Sequence, residues 1–227
     1  MDTRTEAQIF VADQRGYTEA NGAQRLFTFN VVGYTAEGRE PFGPLVWLND
    51  ERLAPAASLV SSAEEVATVV LLPLVGGLEY QLGGSTQFLE PGQAGTLPLA
   101  PGQPYTLINP YETETIQFLH LGLHVKPGST VASAPTTFDL SVPNQLLPFW
   151  QAGKQAGYIG RFDGRHDASI AIDTAEQRVF VYIVQGAFEV ANRLLQSGDG
   201  LSLHYRQADV LEFEALSNNA VLVLLTL

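Results

Sequence analysis

Short runs of four to eleven residues rich in apolar and β-branched side chains recur along the whole chain, bounded by Gly, Pro, Asn or Asp. Runs at Ile9–Ala12, Arg25–Val32, Pro44–Leu48, Val66–Leu72, Leu78–Leu82, Thr86–Leu89, Gly95–Leu99, Tyr105–Ile108 and Thr115–Val125 read as strands. A second series follows at Gly157–Phe162, Ser169–Ile172, Arg178–Val184, Ala187–Val190, Leu201–His204, Val210–Phe213 and Ala220–Leu225. Within Arg25–Val32, Leu26, Thr28 and Asn30 alternate with Phe27, Phe29 and Val31, the period of a half-buried strand. No segment sustains a helical i, i+3, i+4, i+7 pattern over three turns. Regular short strands with turn chemistry between them predict an all-β barrel or sandwich.

Between the two series, 126–155 carries Pro127, Pro135, Pro143 and Pro148, a spacing that predicts an ordered linker pinned by Phe149 and Trp150. The two halves share a punctuation. Gly77-Leu-Glu-Tyr-Gln-Leu leads to Phe88-Leu-Glu-Pro-Gly-Gln, and Gln185-Gly-Ala-Phe-Glu-Val leads to Leu194-Leu-Gln-Ser-Gly-Asp-Gly. The copies lie about 107 residues apart and point to an internal duplication. The expected organisation is a domain at 1–125, the linker at 126–155 and a second domain at 156–227 to which an N-terminal strand could be added.

Composition narrows the chemistry. The 227 residues include no cysteine and four histidines, and the formal charge is −12. Disulfides, thiolate nucleophiles, iron–sulfur clusters and cysteine zinc sites are therefore excluded. The negative charge reflects scarce bases, ten Arg with Lys126 and Lys154, and no run of five like charges occurs. An acidic surface repels phosphate, so neither nucleic acid nor an anionic membrane is an expected partner. The start, Met1-Asp-Thr-Arg, has an acidic second residue and no apolar core, and the longest apolar stretch is broken by Pro73. A cytoplasmic protein is the expectation.

The duplicated strand–Gly–strand–turn pattern is that of a bicupin, two double-stranded β-helix barrels in tandem. The chain resembles the pirin family, which includes quercetin 2,3-dioxygenase-like proteins. The resemblance rests on Leu26-Phe-Thr-Phe, on Phe42-Gly-Pro-Leu-Val-Trp-Leu-Asn-Asp-Glu-Arg-Leu-Ala-Pro, and on the stretch from Val184 to Leu201. It implies an N-terminal cupin holding one iron-type ion through three histidines and a glutamate. Aligned on Pro73 to Tyr80, the family's His-x-His pair falls on Ser62 and Glu64, and its glutamate on Thr68. Aligned on Gly92 and Asn109-Pro110, the later His and Glu fall on Tyr105 and Leu107. No histidine precedes His120. A ferrous site needs several neutral imidazoles with a carboxylate, so the resemblance implies a lost metal centre, with no cofactor and no catalytic residue.

The expected site is thus a vestigial pocket at Ser62, Glu64, Tyr105 and Leu107, with an apolar lining that includes Val66, Val70 and Tyr80. The first functional reading is a non-catalytic module that binds a small molecule or a protein. The alternative is a quercetin 2,3-dioxygenase-like metal-dependent oxidoreductase whose atypical site uses Glu64 and His120. A third reading is association, as a homo-oligomer or within a complex, through exposed sheet faces. His120 and His124 would share one strand face about 13 Å apart, too far for one metal. His166 and His204 read as turn and strand-end residues. Glu64-Glu65 reads as a solvated pair, and no nucleophile elbow or phosphate loop is present.

Overall fold

A computed structural model describes residues 5–126, 128, 134–173 and 175–227. Of the expected linker, positions 127 and 129–133 lie outside the described residues. The described residues form antiparallel β-structure with one 3₁₀ turn at Ala12–Gln14. No helix among them is long and apolar enough to cross a membrane. The fold is all-β, in two compact units: Arg15–Thr137, and Phe138–Leu227 together with Met1–Gln14.

In the first unit a seven-stranded sheet runs Thr136–Thr137, Gln93–Leu99, Ala67–Val75, Ile116–Leu123, Leu45–Leu53, Ala23–Phe27 and Gly16–Ala20. Facing it is a four-stranded sheet of Ser58–Ser62, Pro104–Ile108, Leu78–Leu82 and Ser85–Leu89. Side chains from both meet in one core that includes Leu53, Val69, Leu71, Tyr80, Leu107 and Phe118. Ala67–Leu72 is buried at every position, which is why that run lacks the alternation of a one-faced strand.

The second unit repeats the plan. Its larger sheet runs Glu6–Phe10, Gly200–Tyr205, Gln177–Gln185, Ala220–Thr226, Gln155–Phe162 and Leu147–Ala152, and its smaller sheet has four strands. In chain order the strands of the smaller sheets pair identically in the two units, as the repeated punctuation suggested. Gly186 turns the chain between Gln177–Gln185 and Ala187–Val190 at φ +81°, where a Cβ would lie 2.4 Å from Ser217 Oγ. Aromatic residues Phe162, Phe188 and Phe213 pack edge to face at its centre.

Two features depart from the expected organisation. Leu147–Ala152, read as linker, is the edge strand of the larger sheet, and its register shifts between Pro148 and Trp150. Proline is accommodated there because an edge strand with a bulge does not need every N–H. Glu6–Phe10 pairs with Gly200–Tyr205 and belongs to the second unit, so the first unit starts later than residue 1 and the second takes the N-terminal strand that the expected organisation left open to it.

Candidate functional site

The first unit contains a cavity of about 630 Å³ at one end of its barrel. Cross-strand register explains its contents. Alternate residues of Leu45–Leu53 place Trp47, Asn49 and Glu51 on one face. Arg25 pairs with Glu51, Phe27 with Asn49, Asn49 with His120, and Trp47 with Gly122. Residues distant in sequence thereby stack in successive rows.

The polar centre is a buried chain of side chains. Glu51 is fully buried, and its Oε1 accepts from Arg25 Nε at 3.0 Å, Arg25 Nη2 at 2.9 Å and Asn49 Nδ2 at 3.1 Å. His120 Nδ1 lies 3.0 Å from the same oxygen, and His120 Nε2 lies 2.7 Å from Tyr105 Oη. An ionised carboxylate only accepts, so His120 Nδ1–H is the donor to Glu51, while Nε2 and the Tyr105 hydroxyl share the second hydrogen bond. Burial works to raise the Glu51 pKa. It is outweighed by the charge and hydrogen bond of His120, then by Arg25 and Asn49, which together hold the carboxyl at about 2. Burial pushes the Tyr105 phenol far above its ordinary range, so it remains a donor, although Ser61 works the other way. The His120 ring meets Trp47 and Tyr105 edge-on.

Three buried polar atoms on this face have no partner: Glu51 Oε2, Asn49 Oδ1 and Trp47 Nε1. The Asn49 orientation is dictated by Glu51, since the opposite amide orientation would turn oxygen toward carboxylate. At the rim lie Ser62, Glu64 and Glu65 with His124. His124 Nδ1 donates to the Val66 carbonyl at 3.1 Å, and its Nε2 is 3.7 Å from Glu65.

The structure distributes the expected site residues unevenly. Ser62 and Glu64 line the cavity rim, and Tyr105 reaches it through His120. Leu107 does not belong to the cavity: it is fully buried in the barrel core, across from Tyr80. Val66 is largely exposed, and Val70 lies on the strand face opposite Val69 and Leu71. Arg25, Asn49 and Glu51 were not singled out from sequence. Their signal was the polar pair Asn49 and Glu51 at i, i+2 between Trp47 and Leu53, within the motif that carried the family resemblance.

The fold family brings a metal to mind, and the donor set does not fit one. One imidazole reaches the polar centre, and both its nitrogens are engaged by Glu51 and Tyr105. Among the described residues no group of three or more His, Asp or Glu side chains is disposed to hold a metal ion.

The architecture is that of a bicupin, with one cupin barrel in each unit. Residues 155–225 match the family described as quercetinase C-terminal cupin domain, a stretch that lies wholly outside the cavity-bearing unit. Among solved structures, the chain is similar to YhhW from Escherichia coli, with 17% identity, a TM-score of 0.84 and coverage of 98% of this chain and 97% of that one. It is also similar to the bacterial pirin YhhW of E. coli in complex with nickel(II), at 16% identity, TM-score 0.82, covering 98% and 99%. Quercetin 2,3-dioxygenase from Acinetobacter baumannii follows at 9% identity, TM-score 0.73, covering 96% and 85%. No curated protein matches the chain in sequence.

Proposed function

We propose that the N-terminal cupin is a metal-independent binding cavity for a small organic molecule, on a pirin-like bicupin that does not catalyse dioxygenation. One observation carries this reading: His120 is held on both ring nitrogens, by a carboxylate and by a phenol, inside a cavity large enough for a ligand. A metal ligand needs a free imidazole nitrogen, and here freeing either one breaks a buried hydrogen bond. His120 and, after it, the Arg25 guanidinium keep Glu51 ionised.

The test is metal analysis of protein purified after incubation with iron(II) and with nickel(II), followed by oxygen-electrode assays with quercetin. Metal well below one equivalent and oxygen uptake at the background rate are expected. Near-stoichiometric metal, or sustained uptake, overturns the proposal.

A further inference from the structure

The cavity's unpartnered atoms and its charge together specify a ligand class. Asn49 lines the cavity at 2% exposure, and its Oδ1 has no donor. Glu51 Oε2 is a second buried acceptor without a donor, on a residue that hydrogen-bonds Asn49 but does not itself line the cavity. Leaving such acceptors dry is costly, so the site is built to receive N–H or O–H groups. Arg25 is already matched, because its Nε and Nη2 both donate to Glu51 Oε1. Glu64 and Glu65 at the rim then make the lining electronegative, and no lysine lines the cavity to balance them. A negative cleft with low-dielectric walls attracts cations and rejects anions. The walls suit a cation as well, since Trp47 and Phe27 offer aromatic surface.

We propose that this cavity binds a small organic cation bearing several N–H donors, a primary ammonium or an amidinium on a compact apolar body. An N–H group donates to Asn49 Oδ1, the body lies against Trp47, and the rim carboxylates draw the charge in. This deepens the reading of the cavity as a metal-independent binding site, and rests on it.

The test uses three probes on one scaffold: 2-phenylethylamine, 2-phenylethanol and phenylacetate, titrated into the full chain at low salt. Trp47 emission is the readout, with Trp47→Phe showing that the signal comes from the cavity and not from Trp150. The amine is expected to bind about tenfold more tightly than the alcohol, a difference of one charge-assisted hydrogen bond. Phenylacetate is expected to bind most weakly. Asn49→Leu should abolish the amine's advantage. Glu64→Gln combined with Glu65→Gln, both exposed and neutral to folding, should weaken the amine about threefold and leave the alcohol unchanged. If the alcohol or the acid binds as tightly as the amine, the ligand class is wrong while the cavity reading stands. If none of the three alters Trp47 emission, both fall. An equal effect of the rim substitutions on all three probes also overturns the cation assignment.

Discussion

Gly122 lies directly across the ladder from Trp47, and a Cβ on Gly122 would fall 2.2 Å from the indole ring. The missing side chain lets the ring lie flat over the Ile116–Leu123 strand, where it also meets His120 edge-on. Gly122→Ala is therefore expected to push the indole outward, at a cost of about 1–3 kcal/mol from overpacking. Denaturant unfolding reads the loss, and a red-shifted Trp47 emission in folded protein reads the displacement. Unchanged emission and stability would show that the ring is not seated as described.

The Tyr105 hydroxyl is the sole partner of His120 Nε2 among the described residues. Tyr105→Phe keeps the ring's shape and leaves the buried His120 Nε2 without its partner, so a loss of about 1–3 kcal/mol is expected. The same change frees an imidazole nitrogen. Tyr105→Phe should accordingly take up more nickel(II) than the parent protein in equilibrium dialysis, whereas a purely packing role for Tyr105 would leave metal uptake unchanged.

How this centre escaped the sequence is a matter of topology. Alternation and turn residues exposed the strands, because a half-buried strand writes its period locally. Arg25, Glu51 and His120 come together through ladders that join distant strands, and Tyr105 reaches them from the facing sheet. The family pattern directed attention to Ser62, Glu64, Tyr105 and Leu107, of which Ser62 and Glu64 lie at the rim, Tyr105 in the buried chain and Leu107 in the barrel core. Leu107 lies in the core because two residues along a strand keeps the face but moves about 7 Å deeper into the packed barrel. Pro148 misled in the opposite direction. Proline argues against a central strand, yet Leu147–Ala152 is an edge strand with a bulge.

Glu51 sets a pH dependence whose sign follows from its lowered pKa. The folded carboxyl takes a proton only near pH 2, while an unconstrained one does so near 4.5. As pH falls, the unfolded chain binds the proton first, so the stabilisation is complete above about pH 4.5 and disappears as pH falls through about 2. Its size is roughly 3 kcal/mol. Glu51→Gln should lower stability at neutral pH and flatten the acid limb over that window. The wild-type-minus-variant difference in unfolding free energy isolates Glu51 from the exposed carboxylates. A difference that does not shrink toward pH 2 would contradict the assignment.

Asp199 ties the N-terminal segment to the second unit. Its Oδ1 accepts from Ala12 N at 2.7 Å and its Oδ2 from Gln196 N at 2.9 Å, and the residue is buried. Beyond this anchor, Glu6–Phe10 adds an edge strand to Gly200–Tyr205, with Phe10 packed 5.6 Å from Phe180 between ring centroids. At the far end Arg206 bridges Glu6 and Glu176, but these exposed pairs are screened and weakly stabilising. The anchor is thus the stronger restraint. Asp199→Ala leaves two N–H groups without their acceptor and is expected to cost roughly 2–4 kcal/mol. Amide hydrogen exchange should show Glu6–Ala12 losing protection first, with the Ala220–Thr226 strand at the sheet's centre retained. Arg206→Ala should change exchange only near Glu6. If the two substitutions release the segment equally, the restraint lies in the surface ion pairs and not in the buried carboxylate.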